Sequence, residues 1–243
     1  MIRLVLGLVA LGTVGAFAFR TLPREVSIAA YATPLEGRTA AQRHNAKLAA
    51  IELNGKIIRP GEVFSFNQNV GTFTHDQGYR KAPVSYNGQL IDAWGGGVCQ
   101  TSTTLYNAAL LAGLEIVERH PHVFAPGYVP PGRDAAVAYS SIDLRFRNPF
   151  PYPVRIRAEL VRETLRVELF GAERPAVRPL VVSDVLQRTR PSEFHVSAPG
   201  ASFRTRNSGK FGWEVAVYRI TGNRRERISL DRYPVMHRVV QTP

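Results

Sequence analysis

The sequence contains a single cysteine, Cys99, whose position is typical of a reactive thiol. Cys99 is separated by one residue from the triplet Gly95–Gly97 and stands at, or one residue before, the start of a predicted helix. Free backbone amides and the positive end of the helix dipole favour a thiolate there and so lower the thiol pKa. Since the thiolate is the form that attacks carbonyl carbons, the position indicates acyl-transfer chemistry.

Acyl transfer by a thiol also needs a base within hydrogen-bond reach and a third group that orients the base. His120 and His122 follow the helix on a predicted strand or turn, and Asp134 and Asp143 follow on the next strands. If the protein is an enzyme, we expect Cys99 to be the nucleophile, His122 the base and Asp134 the orienting carboxylate.

Each of these residues also has a structural interpretation. Cys99 can be a small apolar residue packed where the glycines leave little room, because free cysteine is often simply buried. His122 can be a hydrogen-bonded structural histidine, and Asp134 follows Gly132 closely enough for a turn or cap role. Thr101 can be explained by capping the helix alone.

The glycine triplet is not a phosphate-binding loop. No lysine lies near it, as the Walker pattern requires, and the spaced glycines of the dinucleotide fingerprint are absent. Glycines permit a close approach of other groups, so we interpret the triplet as clearing space for a backbone or a ligand beside Cys99. The residues predicted to contact a substrate are Gly95, Gly96, Gly97, Gln100, Thr101 and His120.

Other site chemistries find less support in the sequence. Cys99, His120, His122 and Asp134 are possible metal ligands, but the chain has no His-x-x-x-His and no paired-cysteine spacing. No carboxylate pair is marked out for glycosidase chemistry. We therefore predict neither a metal nor a cofactor.

The surrounding elements predict an α+β fold. We expect an antiparallel sheet packed on a main helix that starts at the Cys99 loop, with a second helix before it and a C-terminal β-hairpin appendage. The helices are predicted at 38–53, with Thr39 as cap, and at 101–114. The predicted strands are 56–63 (broken at Pro60), 115–118, 135–139, 142–146, 154–160 and 165–170, with hairpins around Asn87-Gly88 and around Gly222-Asn223.

The N-terminus indicates export. Arg3 precedes an uncharged apolar run over 4–19, the pattern of a secretory signal, and the run is shorter than the roughly 20 residues of a comfortable membrane span. We predict a signal peptide or N-terminal membrane anchor at 1–19 and a linker at 20–36. A domain at 37–171 and a β-rich extension at 172–243 follow.

A lone cysteine cannot form an intramolecular disulfide.

Charge points to anionic surroundings. Lys and Arg number 31 against 19 Asp and Glu, a net charge of +12. The basic residues are scattered and no nucleic-acid motif is present, so nucleic acid is not predicted as a partner. Anionic lipid headgroups or acidic envelope polymers, with a membrane contact through the N-terminal segment, fit better.

The string GGGVCQTSTTLYNAALLAGLEIVERHPH, followed by YVPPGRDAAV and DLRFRN, resembles the signature of the VanW family. Upstream, AQRHNAKLAAIELNGKIIRPGEVFSFNQNVG and GYRKAPV resemble its N-terminal half, so the resemblance covers roughly 37–171. The order Cys–His–Asp also resembles the core of transglutaminase-like cysteine enzymes. The VanW resemblance implies an extracytoplasmic bacterial envelope protein, membrane-anchored or secreted, with a link to vancomycin resistance and peptidoglycan. It leaves open a cysteine acyltransferase or hydrolase and, alternatively, a non-catalytic wall-binding or scaffolding module.

Overall fold

The computed structural model describes residues 25–86, 89–139, 141–197 and 204–242. The predicted signal peptide or anchor at 1–19 lies outside these ranges, as do Asn87 and Gly88 of the predicted hairpin turn. Among the helices within them, none combines the length and the apolar character that crossing a bilayer requires.

The described residues form the helices Ala40–Leu53 (α1), Phe66–Val70 (α2) and Val98–Ala112 (α3). Their strands are Val26–Pro34 (β1), Ile57–Ile58 (β2), Val63–Ser65 (β3), Lys81–Tyr86 (β4), Gln89–Trp94 (β5), Glu115–Glu118 (β6), Arg145–Arg147 (β7), Val154–Val161 (β8), Thr164–Gly171 (β9), Leu180–Thr189 (β10), Glu193–Ser197 (β11), Arg204–Asn207 (β12), Gly212–Thr221 (β13), Arg224–Tyr233 (β14) and Arg238–Thr242 (β15).

The α+β prediction is confirmed, although several sheets replace the single one expected. The main sheet has the antiparallel order β1-β9-β8-β2, and β1 and β9 contact α3. Smaller sheets have the orders β3-β7-β6, β4-β5, β10-β13-β14 and β11-β15-β12. The main helix thus packs on an antiparallel sheet, as predicted.

Helix α3 is the centre of the core. Leu105, Tyr106 and Leu110 are fully buried, and so are polar residues such as Thr104 and Asn107. The buried polar groups bond neighbouring elements: Thr104 shares a 2.9 Å hydrogen bond with Thr33 of β1. Buried polar side chains need such partners, so the helix fixes its neighbours through hydrogen bonds as well as apolar contacts.

Helix α1 begins as predicted. The Thr39 hydroxyl accepts from the Gln42 backbone N–H at 3.1 Å, and the Gln42 side chain accepts from the Thr39 N–H at 3.0 Å. This capping box satisfies two donors at the helix start and fixes where the chain turns into α1.

The segment 20–36 is not simply a linker. Its described part contains β1, which pairs antiparallel with β9 from Val26↔Gly171 to Pro34↔Thr164. Ile28 and Thr33 are buried against the core. The strand was not predicted, because its partner β9 lies more than a hundred residues away and gives no local signal.

The predicted strand at 135–139 is also wrong. Its residues make only isolated bridges, Ala136 to His120 and Ala138 to Ile142. The backbone of Ala135 is bonded to side chains of α3 instead of a ladder: its N–H donates to Thr103 at 3.0 Å, and its carbonyl accepts from Ser102 at 2.6 Å. Side chains of α3 therefore satisfy the backbone hydrogen-bonding groups of Ala135 that a neighbouring strand would otherwise have bonded.

The C-terminal hairpin is confirmed as β13 and β14, but it is not an appendage. The predicted hairpin is part of the sheet β10-β13-β14. Val217 of β13 belongs to the main hydrophobic core, and Asp231 and Tyr233 of β14 are buried. This part of the extension is packed onto the domain and reaches the predicted site.

Candidate active site

Cys99 occupies the second position of α3. The helix is preceded by Gly97, whose φ of 108° lies in the left-handed region, and no side chain caps the helix start. The thiol is partly exposed, and its Sγ lies 3.5 Å from the carbonyl oxygen of Val137. The positive end of a well-buried helix therefore faces the sulfur.

His122 links this thiol to Asp134. Its Nδ1 lies 2.7 Å from Oδ2 of Asp134, and its backbone N–H donates to the same oxygen at 2.7 Å. Since an ionised carboxylate only accepts, Nδ1 carries the proton. Cys99 and His122 line the same cavity and lie close enough for each to shift the pKa of the other, and with Nδ1 bonded to Asp134 the ring atom available to the sulfur is Nε2. The arrangement is a thiol–imidazole–carboxylate chain.

The carboxylate of Asp134 is held from its other side as well. It is fully buried, and its Oδ1 accepts from Arg119 at 3.1 Å and from the Tyr233 hydroxyl at 2.5 Å. Arg119 also pairs with Asp231 at 2.6 Å. Burial alone raises the pKa of Asp134, but the His122 hydrogen bond and the Arg119 charge outweigh it and lower the pKa below its usual value.

The same neighbours shift the pKa values of the reacting pair in opposite directions. Burial raises the pKa of the Cys99 thiol, but the hydrogen bond and charge of His122 outweigh it, and the pKa is lowered. Burial lowers the pKa of His122, but the bonds to Asp134 and Cys99 raise it to about 9. Both shifts favour a thiolate–imidazolium pair near neutral pH.

The start of α3 also presents an unused donor. The Val98 N–H bonds the Gly95 carbonyl at 3.0 Å, and the Gln100 N–H bonds the Gly97 carbonyl at 3.1 Å. The N–H of Cys99 between them has no acceptor among the described residues. A free amide next to a nucleophile is a donor suited to an oxyanion.

Packing explains the glycine triplet. A Cβ on Gly97 would lie 2.4 Å from the carbonyl oxygen of Gln42, and one on Gly96 would lie 2.6 Å from that of Ala82. A Cβ on Gly95 would meet the Phe73 side chain at 2.6 Å. The triplet therefore clears space for neighbouring chain segments, one of the two interpretations offered by the sequence.

A cavity of about 230 Å³ opens over Cys99 and His122. Gly95, Gly97 and Gln100 also line it, as do Arg38 and Lys210, which the sequence patterns did not indicate. The site therefore has room for a small group of a substrate directly beside the thiol.

Three residues predicted to contact a substrate lie elsewhere. Thr101 is buried, and its hydroxyl donates to the Ala46 carbonyl at 3.2 Å. The Gly96 carbonyl accepts from Asn45 at 2.9 Å inside the fold. His120 faces outward and pairs with Glu118 at 3.0 Å. None of the three lines the cavity, so their positions do not fit the predicted role.

Gln100 lines the cavity, but its amide bonds the protein. Its Nε2 donates to the Thr33 hydroxyl at 3.0 Å and to the Pro34 carbonyl at 2.7 Å, and its Oε1 accepts from Arg38 at 2.9 Å. Gln100 thus connects β1, the start of α3 and a cationic side chain of the cavity.

In the described ranges no cluster of His, Cys, Asp and Glu is arranged to hold a metal ion.

Several supporting residues had no sequence signal. Arg119 and Tyr233, which hold Asp134, lie 15 and 99 residues from it along the chain. Tyr128 contributes a ring to the cavity, and its pKa is raised by burial and by Cys99. Spacing rules cannot find such residues, because their contacts form only through the tertiary fold.

Comparisons with known proteins agree with the resemblance in the sequence. A Bacillus subtilis (strain 168) protein, "Uncharacterized protein YoaR", is 40% identical over 143 residues, which are 59% of this chain and 47% of that protein. The "Vancomycin B-type resistance protein VanW" of Enterococcus faecalis (strain ATCC 700802 / V583) is 33% identical over 153 residues, 61% of this chain and 56% of that protein. The chain thus spans about half the length of these curated relatives.

Among solved structures, the "IgA1 Protease G5 domain structure" matches with a TM-score of 0.20 and 19% identity, over 28% of this chain and 92% of that one. A likeness this weak supports no statement about this protein. The family model described as "VanW like protein" matches residues 41–170, more than half of the 243 residues and the part that carries Cys99, His122 and Asp134. The chain therefore belongs to the VanW family.

Proposed function

We propose that this protein is a cysteine acyltransferase or hydrolase of the bacterial cell envelope that acts on an amide or ester in a peptidoglycan peptide. One observation supports the proposal above others: the chain Cys99–His122–Asp134 ends at a thiol that faces a cavity. A thiol kept only for packing needs neither an imidazole partner nor an opening beside it.

In the first half of the reaction the Cys99 thiolate attacks the carbonyl carbon of the substrate, and a C–S bond forms. The carbonyl oxygen becomes an oxyanion, which the free Cys99 N–H at the start of α3 can bond. The imidazolium of His122 donates its Nε2 proton to the leaving nitrogen or oxygen as the bond to carbon breaks. The products are a thioester on Cys99, neutral His122 and the released amine or alcohol.

In the second half an amine or water attacks the thioester carbon. His122 accepts the proton of the attacking group through Nε2, the C–S bond breaks and the thiolate returns. Asp134 stays ionised throughout and stabilises the imidazolium, because Arg119 and Tyr233 hold the carboxylate in place. An amine acceptor gives transfer, and water gives hydrolysis.

The envelope setting comes from the family and the charge of the chain. The Enterococcus faecalis relative is named for vancomycin resistance, and the resemblance of the sequence to VanW proteins implies an extracytoplasmic place and a cell-wall substrate. The net charge of +12 fits anionic wall polymers. The N-terminal apolar run fits export or anchoring.

The test is trapping of the thioester. The purified protein is incubated with soluble peptidoglycan peptides and examined by intact-protein mass spectrometry. We expect a mass increase that hydroxylamine removes and that Cys99→Ala abolishes. His122→Gln should reduce adduct formation, whereas the outward-facing His120→Gln should not. A protein that binds the peptides equally well with and without Cys99, and never forms an adduct, would instead be the wall-binding module of the alternative interpretation.

A further inference from the structure

Two cationic side chains face the cavity beside Cys99 without an anionic partner. Arg38 precedes the cap of α1, and Lys210 comes from the C-terminal extension, so they reach the cavity from opposite ends of the sequence. No carboxylate of the described residues forms an ion pair with either one. Among the described residues, most half-buried arginines are ion-paired, as Arg43, Arg119 and Arg219 are, whereas Arg38 is not.

Arg38 is held in place before any ligand binds. Its Nε donates to Oε1 of Gln100 at 2.9 Å, and its guanidinium lies 4.8 Å from the centre of the Tyr128 ring. Gln100 is in turn fixed by its bonds to Thr33 and Pro34. The two terminal nitrogens of the guanidinium have no acceptor among the described residues, so the fork that matches a carboxylate remains available.

Lys210 is fixed by its backbone. Its N–H and carbonyl exchange hydrogen bonds of 2.8 and 3.0 Å with Met236. Burial and the charge of Arg38 lower the pKa of Lys210, so the two cations lie near enough to repel each other. An anion between them would relieve that repulsion and supply the missing acceptors.

We propose that Arg38 and Lys210 form a subsite that binds a carboxylate of the substrate next to the carbonyl attacked by Cys99. This choice of anion rests on the proposed function, because the anionic groups of a wall peptide near an amide bond are carboxylates. The apolar wall of the same cavity, with Pro83, Val84 and Phe124, is suited to the aliphatic part of such a residue. The C-terminal extension thereby takes part in substrate selection through Lys210.

The test compares two alkylating reagents of similar size, anionic iodoacetate and neutral iodoacetamide, on the intact protein. In both reactions the thiolate attacks the CH₂ carbon, a C–S bond forms and iodide leaves. The ratio of the two rate constants cancels changes in the thiolate fraction, since both reagents need the thiolate. It therefore reports the preference of the cavity for a carboxylate, whether or not the protein catalyses acyl transfer.

We expect Arg38→Gln and Lys210→Gln each to lower the iodoacetate-to-iodoacetamide ratio by more than about threefold, as expected for losing a charge-assisted contact. Arg59→Gln is the matched control, because the Arg59 side chain is 81% exposed and is not among the residues that line the cavity. Folding of each variant is checked by circular dichroism. A smaller fall in both variants overturns the proposal. Failure of Cys99 to react with either reagent also overturns it, because the two cations line the same cavity as the thiol and the proposal needs a carboxylate-bearing molecule to enter that cavity. Absence of a thioester adduct with an intact preference for iodoacetate would count against acyl transfer and not against the subsite.

Discussion

The hydroxyl of Tyr233 donates a hydrogen bond of 2.5 Å to Oδ1 of Asp134, across 99 residues of sequence. The same oxygen of Tyr233 accepts from the Gly132 N–H at 3.1 Å. Asp134 meanwhile binds His122 through its other carboxylate oxygen. One residue of the C-terminal extension therefore supports the carboxylate that orients the imidazole, and the extension is part of the site's framework.

Replacing Tyr233 by Phe should destabilise the protein by about 2 kcal/mol, because a buried bond to a charged group is lost and the Gly132 N–H is left without its acceptor. Urea unfolding followed by fluorescence measures this change. Tyr139→Phe is the control, since Tyr139 is 53% exposed and should change stability by less than about 0.5 kcal/mol. Equal effects of the two substitutions would mean that the Tyr233 hydroxyl contributes nothing to this network.

The pH profile of Cys99 alkylation should report its partnership with His122. In the wild type we expect the rate with iodoacetamide to rise with a midpoint below the ordinary thiol pKa of 9.0. Removing the imidazole leaves the burial of the thiol uncompensated, so His122→Gln should move the midpoint upward. At pH 7 the rate then falls, by about tenfold for each unit that the midpoint moves above pH 7.

The control for that experiment is His120→Gln. His120 pairs with Glu118 and does not line the cavity, so its loss should leave the midpoint unchanged. An identical profile for the wild type and His122→Gln would show that the imidazole does not activate the thiol.

Asp134→Asn should destabilise the protein more near neutral pH than in acid. The pKa of Asp134 is lowered in the folded protein, mainly by His122 and Arg119 acting against burial. The carboxylate therefore contributes stability above its unfolded value of 3.8, and this contribution is lost as the pH falls through the lower folded value. We expect a loss of about 3 kcal/mol at pH 7, because Arg119 is left with only Asp231 as its acidic partner.

The measurement is the free energy of unfolding of wild type and Asp134→Asn between pH 7 and pH 3. The difference should narrow as the pH falls below about 5, because the Asp134 carboxylate is then protonated first in the unfolded chain and then in the folded protein. Asp184→Asn is the matched control, because Asp184 pairs with Arg225 at the surface and such pairs contribute little. A difference that stays the same at every pH would contradict the ionised, stabilising carboxylate.

Local rules were enough to predict α1 and α3, but they did not predict the short helix α2. Thr39 and Gln42 carry the capping box of α1 within four residues of sequence, and the run after Cys99 has the apolar content of a buried helix. Strand β1 was not predicted, because it is stabilised by pairing with β9 and packing on α3. A short Ala-rich segment carries little information about a partner so far along the chain.

The same division applies to the site. The order of Cys99, His122 and Asp134 along the chain was enough to propose them as a set, and the structure brings the three together. Lys210 and Tyr233 gave no signal, because each reaches the site from the C-terminal extension, whose packing position depends on tertiary contacts. The side chain of His120 faces outward, whereas that of His122 lines the cavity. The sequence alone does not determine which of the two histidines faces Cys99.

The close approach of α1 to the glycine triplet gives the last prediction. Gly97 and Gly61 both have left-handed φ values, 108° and 74°, so an alanine at either position costs about 1–2 kcal/mol in backbone strain. The positions differ in their surroundings: a Cβ on Gly61 meets nothing within 4 Å, whereas one on Gly97 lies 2.4 Å from the Gln42 carbonyl oxygen. That contact must push α1 away from the start of α3, which adds an overpacking cost of about 1–3 kcal/mol.

We therefore expect Gly97→Ala to lower the free energy of unfolding, measured in urea, by about 3 kcal/mol or more. Gly61→Ala should lower it only by the backbone strain of about 1–2 kcal/mol. Because the displaced helix start carries Cys99, Gly97→Ala should also slow alkylation by iodoacetamide at pH 7, while Gly61→Ala should leave the rate unchanged. Equal losses of stability would mean that the triplet serves backbone conformation alone. If alkylation of Cys99 is slower in Gly97→Ala but not in Gly61→Ala, the separation between the Gln42 carbonyl and Gly97 sets the position of the nucleophile.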